Sequence, residues 1–229
     1  MKTNKNFVVN GKEYCDRKSK YCVNHSPVHV SDSMSGKMTD IPSISTSCLV
    51  NPICLKRMQD GNSICAHCFA AGTLERYTAA GLATESNFKL LNDSVLPAEM
   101  LPAFKNSVDI GRIESFGDVY TVTQALNYAN TAYNNPHVTF AWWSKNVAIV
   151  ARAFDMIGKP ANVILIESAP KVNTPIKPSS HYVDKVFTVY TKEYIAAHNI
   201  VINCGARACN TCRRCYRKDT ETVISEELK

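Results

Sequence analysis

The stretch "ANVILIESA", residues 161 to 169, runs through four successive aliphatic side chains, Val163 to Ile166, before it meets a charge at Glu167. A strand with one wet face alternates apolar and polar residues. This one does not, and a short continuous apolar run is what a parallel strand buried on both faces requires. Upstream, "NVAIVARAFDMIGK" (146–159) reads as a helix stopped by Gly158 and Pro160. Before it, "HVTFAWWS" (137–144) reads as a strand. "TVTQALNYANTAYNN" (121–135) is a Thr-capped helix followed by Pro136, and "DIGRIESFGDVY" (109–120) is a strand ending in a glycine turn. Downstream, "YVDKVFTVYT", "KEYIAAHN" and "IVINCG" (182–205) repeat strand, helix, strand.

Alternation of this kind between 110 and 204 predicts an α/β fold, with parallel strands joined by helical crossovers in an open sheet or a partial β/α barrel. Chemistry in such folds collects at the carboxyl ends of the strands. Glu114, Ser115 and Asp118 after the first strand, Lys145 after the second and Glu167 at the end of the third are therefore the candidate catalytic residues. For any one of them, a salt bridge at the mouth of the sheet is the competing reading.

The N-terminal part differs. "FVVNGKEY" alternates around Asn10-Gly11, which predicts a tight hairpin over 6–15. Residues 23–47, rich in Ser and Pro, read as a loop or extended arm. "CAHCFAAGTLERYTAAGLATESNFKLLN" (65–92) reads as one or two helices with a break at Gly72 or Gly81. The expected organisation is a hairpin and arm over 1–47, a single α/β domain over 48–217 and a charged tail over 218–229.

A chain of 229 residues buries a core without crosslinks. The opening residues lack the apolar stretch of a secretory signal, and no apolar run approaches the roughly 20 residues of a bilayer span. A cytoplasmic location, with no membrane partner, is the expectation. There the ten cysteines stay as thiols, and clustered spacing points to metal.

The C-terminal cluster is Cys204-x4-Cys209-x2-Cys212-x2-Cys215, whose last three members repeat the run found in bacterial ferredoxin-type cluster binding. Structural zinc also takes four thiolates, but usually from two separated C-x2-C knuckles. The spacing favours a 4Fe–4S cluster, with zinc as the alternative. Arg207 and Arg213, in the same segment, are expected to offset the negative charge of a thiolate-bound cluster. Their competing reading is a solvated basic edge.

The N-terminal cluster, Cys48-x5-Cys54-x10-Cys65-x2-Cys68, is looser. It makes a second four-thiolate site, or a three-thiolate one with an open iron. His67 lies within its C-x2-C pair. The count of clusters, one or two, stays open, as does a single site built from both groups. Cys15 and Cys22 are given no role. The net charge of +6 is modest, and no aromatic-interleaved basic stripe tracks a phosphate backbone, so nucleic acid is disfavoured as a partner. A small-molecule substrate or an electron-transfer partner is expected instead.

Four motifs, Cys68-Phe69-Ala70, Ser115-Phe116-Gly117-Asp118, Trp143-Ser144-Lys145 and the cysteines from 204 to 215, occur in an order that resembles the phage-encoded gene product 88-like family over about residues 40–217. The family is loosely similar to radical SAM enzymes, so the resemblance implies a radical SAM-like partial β/α barrel bearing iron–sulfur, with cysteine-rich extensions at both ends. The C-x3-C-x2-C spacing of radical SAM enzymes does not occur here, which disfavours reductive cleavage of S-adenosylmethionine. The activity expected is Lewis-acid hydrolysis of an ester or thioester at a cluster iron. Electron transfer or radical chemistry is the alternative, and a zinc or structural-cluster module contacting nucleic acid or a host protein is another.

Overall fold

The computed structural model describes residues 6–32, 34–205 and 207–228. Strands β1 (Asn6–Val9) and β2 (Lys12–Cys15) form the expected hairpin, paired from Asn6 opposite Cys15 to Val9 opposite Lys12. Asn10 and Gly11 both take positive φ, +49° and +74°, as a two-residue turn matched to the strand twist demands. The hairpin stays apart from the main sheet. Asn10 and Lys12 reach Asp93, at 2.6 and 2.7 Å.

The main sheet begins inside the segment expected to be an irregular arm. Strand β3 is only Ser43–Ile44, too short to show periodicity, and it pairs with β4. Between them lie α1 (Pro52–Met58), α2 (Phe69–Arg76) and α3 (Thr78–Asp93). The break between the last two falls at Tyr77, not at Gly72 or Gly81, because the Tyr77 N–H closes α2 on the Thr73 carbonyl. Gly81 serves another purpose: a Cβ there would lie 3.0 Å from the Leu74 carbonyl, so it lets α3 approach α2 closely.

From there the expected alternation appears: β4 (Ile110–Ile113), α4 (Val122–Tyr133), β5 (Thr139–Ser144), α5 (Val147–Ile157), β6 (Val163–Ser168), β7 (Lys185–Tyr190) and α6 (Lys192–His198). Thr121 caps α4 through the Gln124 N–H, and Gly158, at φ +82°, ends α5. "IVINCG" does not form the next strand. Val201 is exposed and only Cys204 pairs, with Glu226. The chain instead passes through a single turn, α7 (Cys209–Cys212), and returns as β8 (Val223–Glu227). Residues expected to be a charged tail are thus an edge strand, held because Ile224 is fully buried.

The six strands are all parallel and lie in sequence order, β3-β4-β5-β6-β7-β8. Right-handed crossovers in that order return to one side of the sheet. One face accordingly packs Phe140, Trp142, Val163 and Leu165 against α3, α4 and α5. Trp142 meets Tyr128 and Phe154 edge-on, at centroid distances of 5.4 and 5.7 Å. The other face carries Ile110, Ala141, Ile164, Ile166, Phe187 and Ile224, and its cover is the C-terminal segment around Tyr216. Val163 to Ile166 are buried, as the opening stretch requires.

Candidate metal centres

The two cysteine clusters fold at different places on the sheet. Chain leaving β3 turns through buried Ser45, Thr46, Ser47 and Cys48 at the carboxyl edge. Asn51 then caps α1, accepting from the Ile53 and Cys54 N–H groups, with Pro52 at its first position. That cap sets Cys54 in the first turn, pointing inward. A 3-10 turn over Ile64–His67 is capped by Ser63 and tied to the Pro170 carbonyl, which fixes Cys65 near the end of β6. Cys68 stands at the N-cap of α2. His67 is exposed.

These four thiols sense one another. A hydrogen bond joins Cys48 and Cys68, lowering the Cys68 pKa and raising that of Cys48. The Ala70 and Ala71 N–H groups and the Lys145 ammonium further favour the Cys68 thiolate. Burial pushes the Cys54 thiol up, with Asp118, Glu114 and Cys65 adding to it and Lys145 opposing.

The polar residues expected at the strand ends gather here, mostly as ties. Asp118 accepts at Oδ1 from Ser144 Oγ (2.7 Å) and the Val119 N–H (2.8 Å). Its Oδ2 accepts from Arg57 Nη1 and the Lys145 N–H, both at 3.0 Å. Four donors occupy the lone-pair sites a carboxylate offers. Glu114, at φ +60°, is likewise filled by the Thr46 N–H and Oγ1, Gln124 Nε2 and Tyr128 Oη. Burial raises its pKa from 4.5 to about 7, against the pull of those hydrogen bonds. Ser115 shares a hydrogen bond with Ser43 Oγ at 2.8 Å. Glu167 accepts from the Ser179 N–H at 2.7 Å and anchors the loop after β6. Lys145 is the member of the set whose side-chain charge favours the thiolates, whereas the carboxylates of Asp118 and Glu114 oppose ionisation of Cys54.

The C-terminal cluster lies against the opposite sheet face from α4 and α5. Cys204 runs beside Glu226 of β8, and Cys209, Cys212 and Cys215 follow through α7 and the next turn, with Arg213 in a left-handed conformation (φ +52°) between them. Cys204, Cys209 and Cys215 pack on the apolar residues of that face. Burial raises Cys204 to about 11 and Cys215 to about 12, and raises Cys209 as well. Repulsion from the other thiols of the group adds to each.

The basic partners are not the expected ones. Arg213 is engaged by Asp109 and the Asn210 carbonyl, and Arg207 is exposed. The cations acting on these thiols are Arg112 on Cys209 and Cys215, Lys37 on Cys204 and Cys209, Arg214 on Cys212 and Lys185 near Cys215. Arg112 and Lys185 belong to strands β4 and β7, far from the cysteines in sequence, and only the inward phase of alternation along those strands marks them.

All ten cysteines are free thiols. Cys15 is exposed and Cys22 is buried beside Phe104. Among the described residues, no three Cys, His, Asp or Glu side chains already stand close enough to hold a metal ion. The donor chemistry still fits a soft metal: each cluster offers four thiols, and cations surround the C-terminal one. Among the described residues, the buried indole Nε1 of Trp143, on that same face, has no hydrogen-bond partner.

A family model described as Gene product 88 matches residues 8–222. The chain belongs to the Gene product 88 family. The Gene product 88 match takes in most of the hairpin, both thiol clusters and five strands of the main sheet, and ends just before β8. It reaches further toward the N-terminus than the motifs alone suggest. No curated protein matches the chain, and no solved structure does. Among the described residues no helix is long and apolar enough to cross a membrane.

Proposed function

We propose that this is a phage-encoded iron–sulfur protein of the host cytoplasm with two separate thiolate centres on a partial β/α barrel. Cys204, Cys209, Cys212 and Cys215 would hold one, as a closed four-thiolate site. Cys48, Cys54, Cys65 and Cys68 would hold the other. The observation that carries the reading is the partition itself: each thiol finds its sulfur neighbours within its own group of four. The barrel reading draws support from six parallel strands in sequence order with helices packed on one face.

The N-terminal centre is the one placed for chemistry, since it sits at the carboxyl edge of the strands. Bound there by three of the four thiolates, a cluster would supply an open iron that polarises a carbonyl or water; bound by all four, it would supply an electron. Lys145 places an ammonium beside Cys54 and Cys68, able to hold an anionic or carbonyl group of a substrate. Asp118 fixes the backbone of Lys145 and the guanidinium of Arg57, which orients that ammonium. The carboxylates of Asp118 and Glu114 each already accept four hydrogen bonds from the protein, which favours the second, redox reading over ester or thioester hydrolysis.

Anaerobic reconstitution with iron and sulfide tests this. Two 4Fe–4S centres correspond to about eight iron per chain and a brown protein. Changing Cys209, Cys212 and Cys215 together to Ala should remove about half of the iron, whereas C15A/C22A should keep all of it. A colourless protein with stoichiometric zinc overturns the iron assignment.

A further inference from the structure

We infer that Arg112, a residue of the sheet and not of the cysteine-rich segment, provides the principal counter-charge of the C-terminal centre, assisted by the indole N–H of Trp143. This rests on reading that cluster as a metal–thiolate centre.

The guanidinium of Arg112 is half-buried on the sheet face that carries the thiols. It stacks 4.4 Å from the centroid of the Trp143 ring. Its Nε donates to the Glu114 carbonyl at 3.4 Å, and its Nη1 lies 3.9 Å from the Met38 sulfur. These partners are a ring, a carbonyl and a thioether, and none of them is an anion. A cation withdrawn from water without a counter-ion is costly. Cys204, Cys209 and Cys215 pack on that same face together with Trp143, the ring on which the guanidinium stacks, so their thiolates are the negative charge this face would bring to Arg112.

Of the arginines nearer in sequence, Arg213 pairs with Asp109, Arg214 with Glu221 while also reaching Cys212, and Arg217 with Asp219, and Arg207 is exposed to solvent. Four thiolates around a zinc ion or a 4Fe–4S core carry net negative charge, and that charge on an apolar face needs a fixed cation. Arg112 is held there by the rigid strand β4, and Trp143 sits on the neighbouring strand with Ala141 paired to Arg112. The unpartnered Trp143 Nε1 adds a buried donor on the same face. The indole of Trp142 is also unpartnered, but it lies on the helix-covered face among aromatic rings, with no charge to serve.

The test compares wild type, R112K, R112Q, W143F and R213Q as full chains reconstituted anaerobically. The readouts are metal per chain, the rate at which a chelator withdraws the metal held by Cys209, Cys212 and Cys215, and, where that metal is iron, the midpoint potential. R112Q should lose this metal about tenfold faster than wild type, in the range that outer-sphere partners usually command, and its potential should fall. R112K should stay near wild type because the charge is kept. W143F, which keeps a ring under the guanidinium, should shift in the same direction by less, and it remains informative if R112Q folds poorly. R213Q should match wild type. Metal-loaded R112Q or W143F indistinguishable from wild type overturns the role of Arg112 and Trp143 alone. A wild-type chain whose metal content is unchanged by C209A/C212A/C215A overturns the centre itself.

Discussion

Asp118 and Arg57 meet at 3.0 Å, joining the loop after β4 to the last turn of α1, while two further bonds of the same carboxylate reach Ser144 at the end of β5 and the Lys145 backbone just after it. A single nearly buried carboxylate thus fastens three segments around the N-terminal thiols. Replacing it by Ala should cost about 3–5 kcal/mol, the usual effect of leaving a mostly buried cation unpaired. Denaturant unfolding of Asp118→Ala checks this. A variant as stable as wild type would mean that the carboxylate is held for chemistry and not for architecture.

The same variant separates the two centres. Asp118→Ala should lose metal at Cys48, Cys54, Cys65 and Cys68 while retaining it at the C-terminal cluster, whose supports lie on the other face. Metal counts in Asp118→Ala with and without C209A/C212A/C215A report which centre was lost.

Gly117 passes so close to Thr46 that an added Cβ would stand 2.6 Å from both its carbonyl and its hydroxyl oxygen. Gly117→Ala should destabilise by about 1–3 kcal/mol through overpacking against backbone. Gly61→Ala is the control, since nothing lies within 4 Å of its added Cβ. Thermal melts of the two should diverge clearly.

Glu114 predicts a pH dependence. Its pKa rises from 4.5 to about 7 on folding because it is buried. Stability from this group is fully present below about pH 4.5 and is lost as pH rises toward about 7, because the unfolded chain ionises first. The window corresponds to an effect on the order of 3 kcal/mol. Unfolding free energies between those pH values should fall less steeply with pH for Glu114→Gln than for wild type. Parallel slopes would show that the carboxylate ionises without penalty.

Truncation after residue 222 removes β8, whose five residues pair with Val186 to Tyr190 and whose Ile224 is fully buried. The shortened chain should lose cooperative unfolding or aggregate at the bared edge of β7. A soluble, cooperatively folded truncation would return these residues to the status of a tail.

Much of the fold was legible where periodicity is long or punctuation is strong. Val163 to Ile166 announced a strand buried on both faces, Asn10-Gly11 a hairpin, and Thr121 and Gly158 the ends of two helices. The edge strands were not legible. Ser43–Ile44 is too short for any period, and "VISEE" carries its charge openly because an edge strand needs only one buried face. The thiol clusters were visible as spacing, but their partition between a sheet edge and a sheet face depends on pairings between distant segments. Arg112 looked like an ordinary polar residue in "IGRI". Its importance comes from the inward phase of β4, which only the sheet register reveals.

The last parallel strand is laid down only after the chain has passed through Cys204, Cys209, Cys212 and Cys215. During synthesis the Cys48–Cys68 cluster emerges well before the sheet against which the second cluster packs can be finished. If the two groups of sulfurs take up metal as proposed, maturation has a direction: they leave the ribosome at different times, and a cell's assembly machinery would meet the second while its seat is still being built.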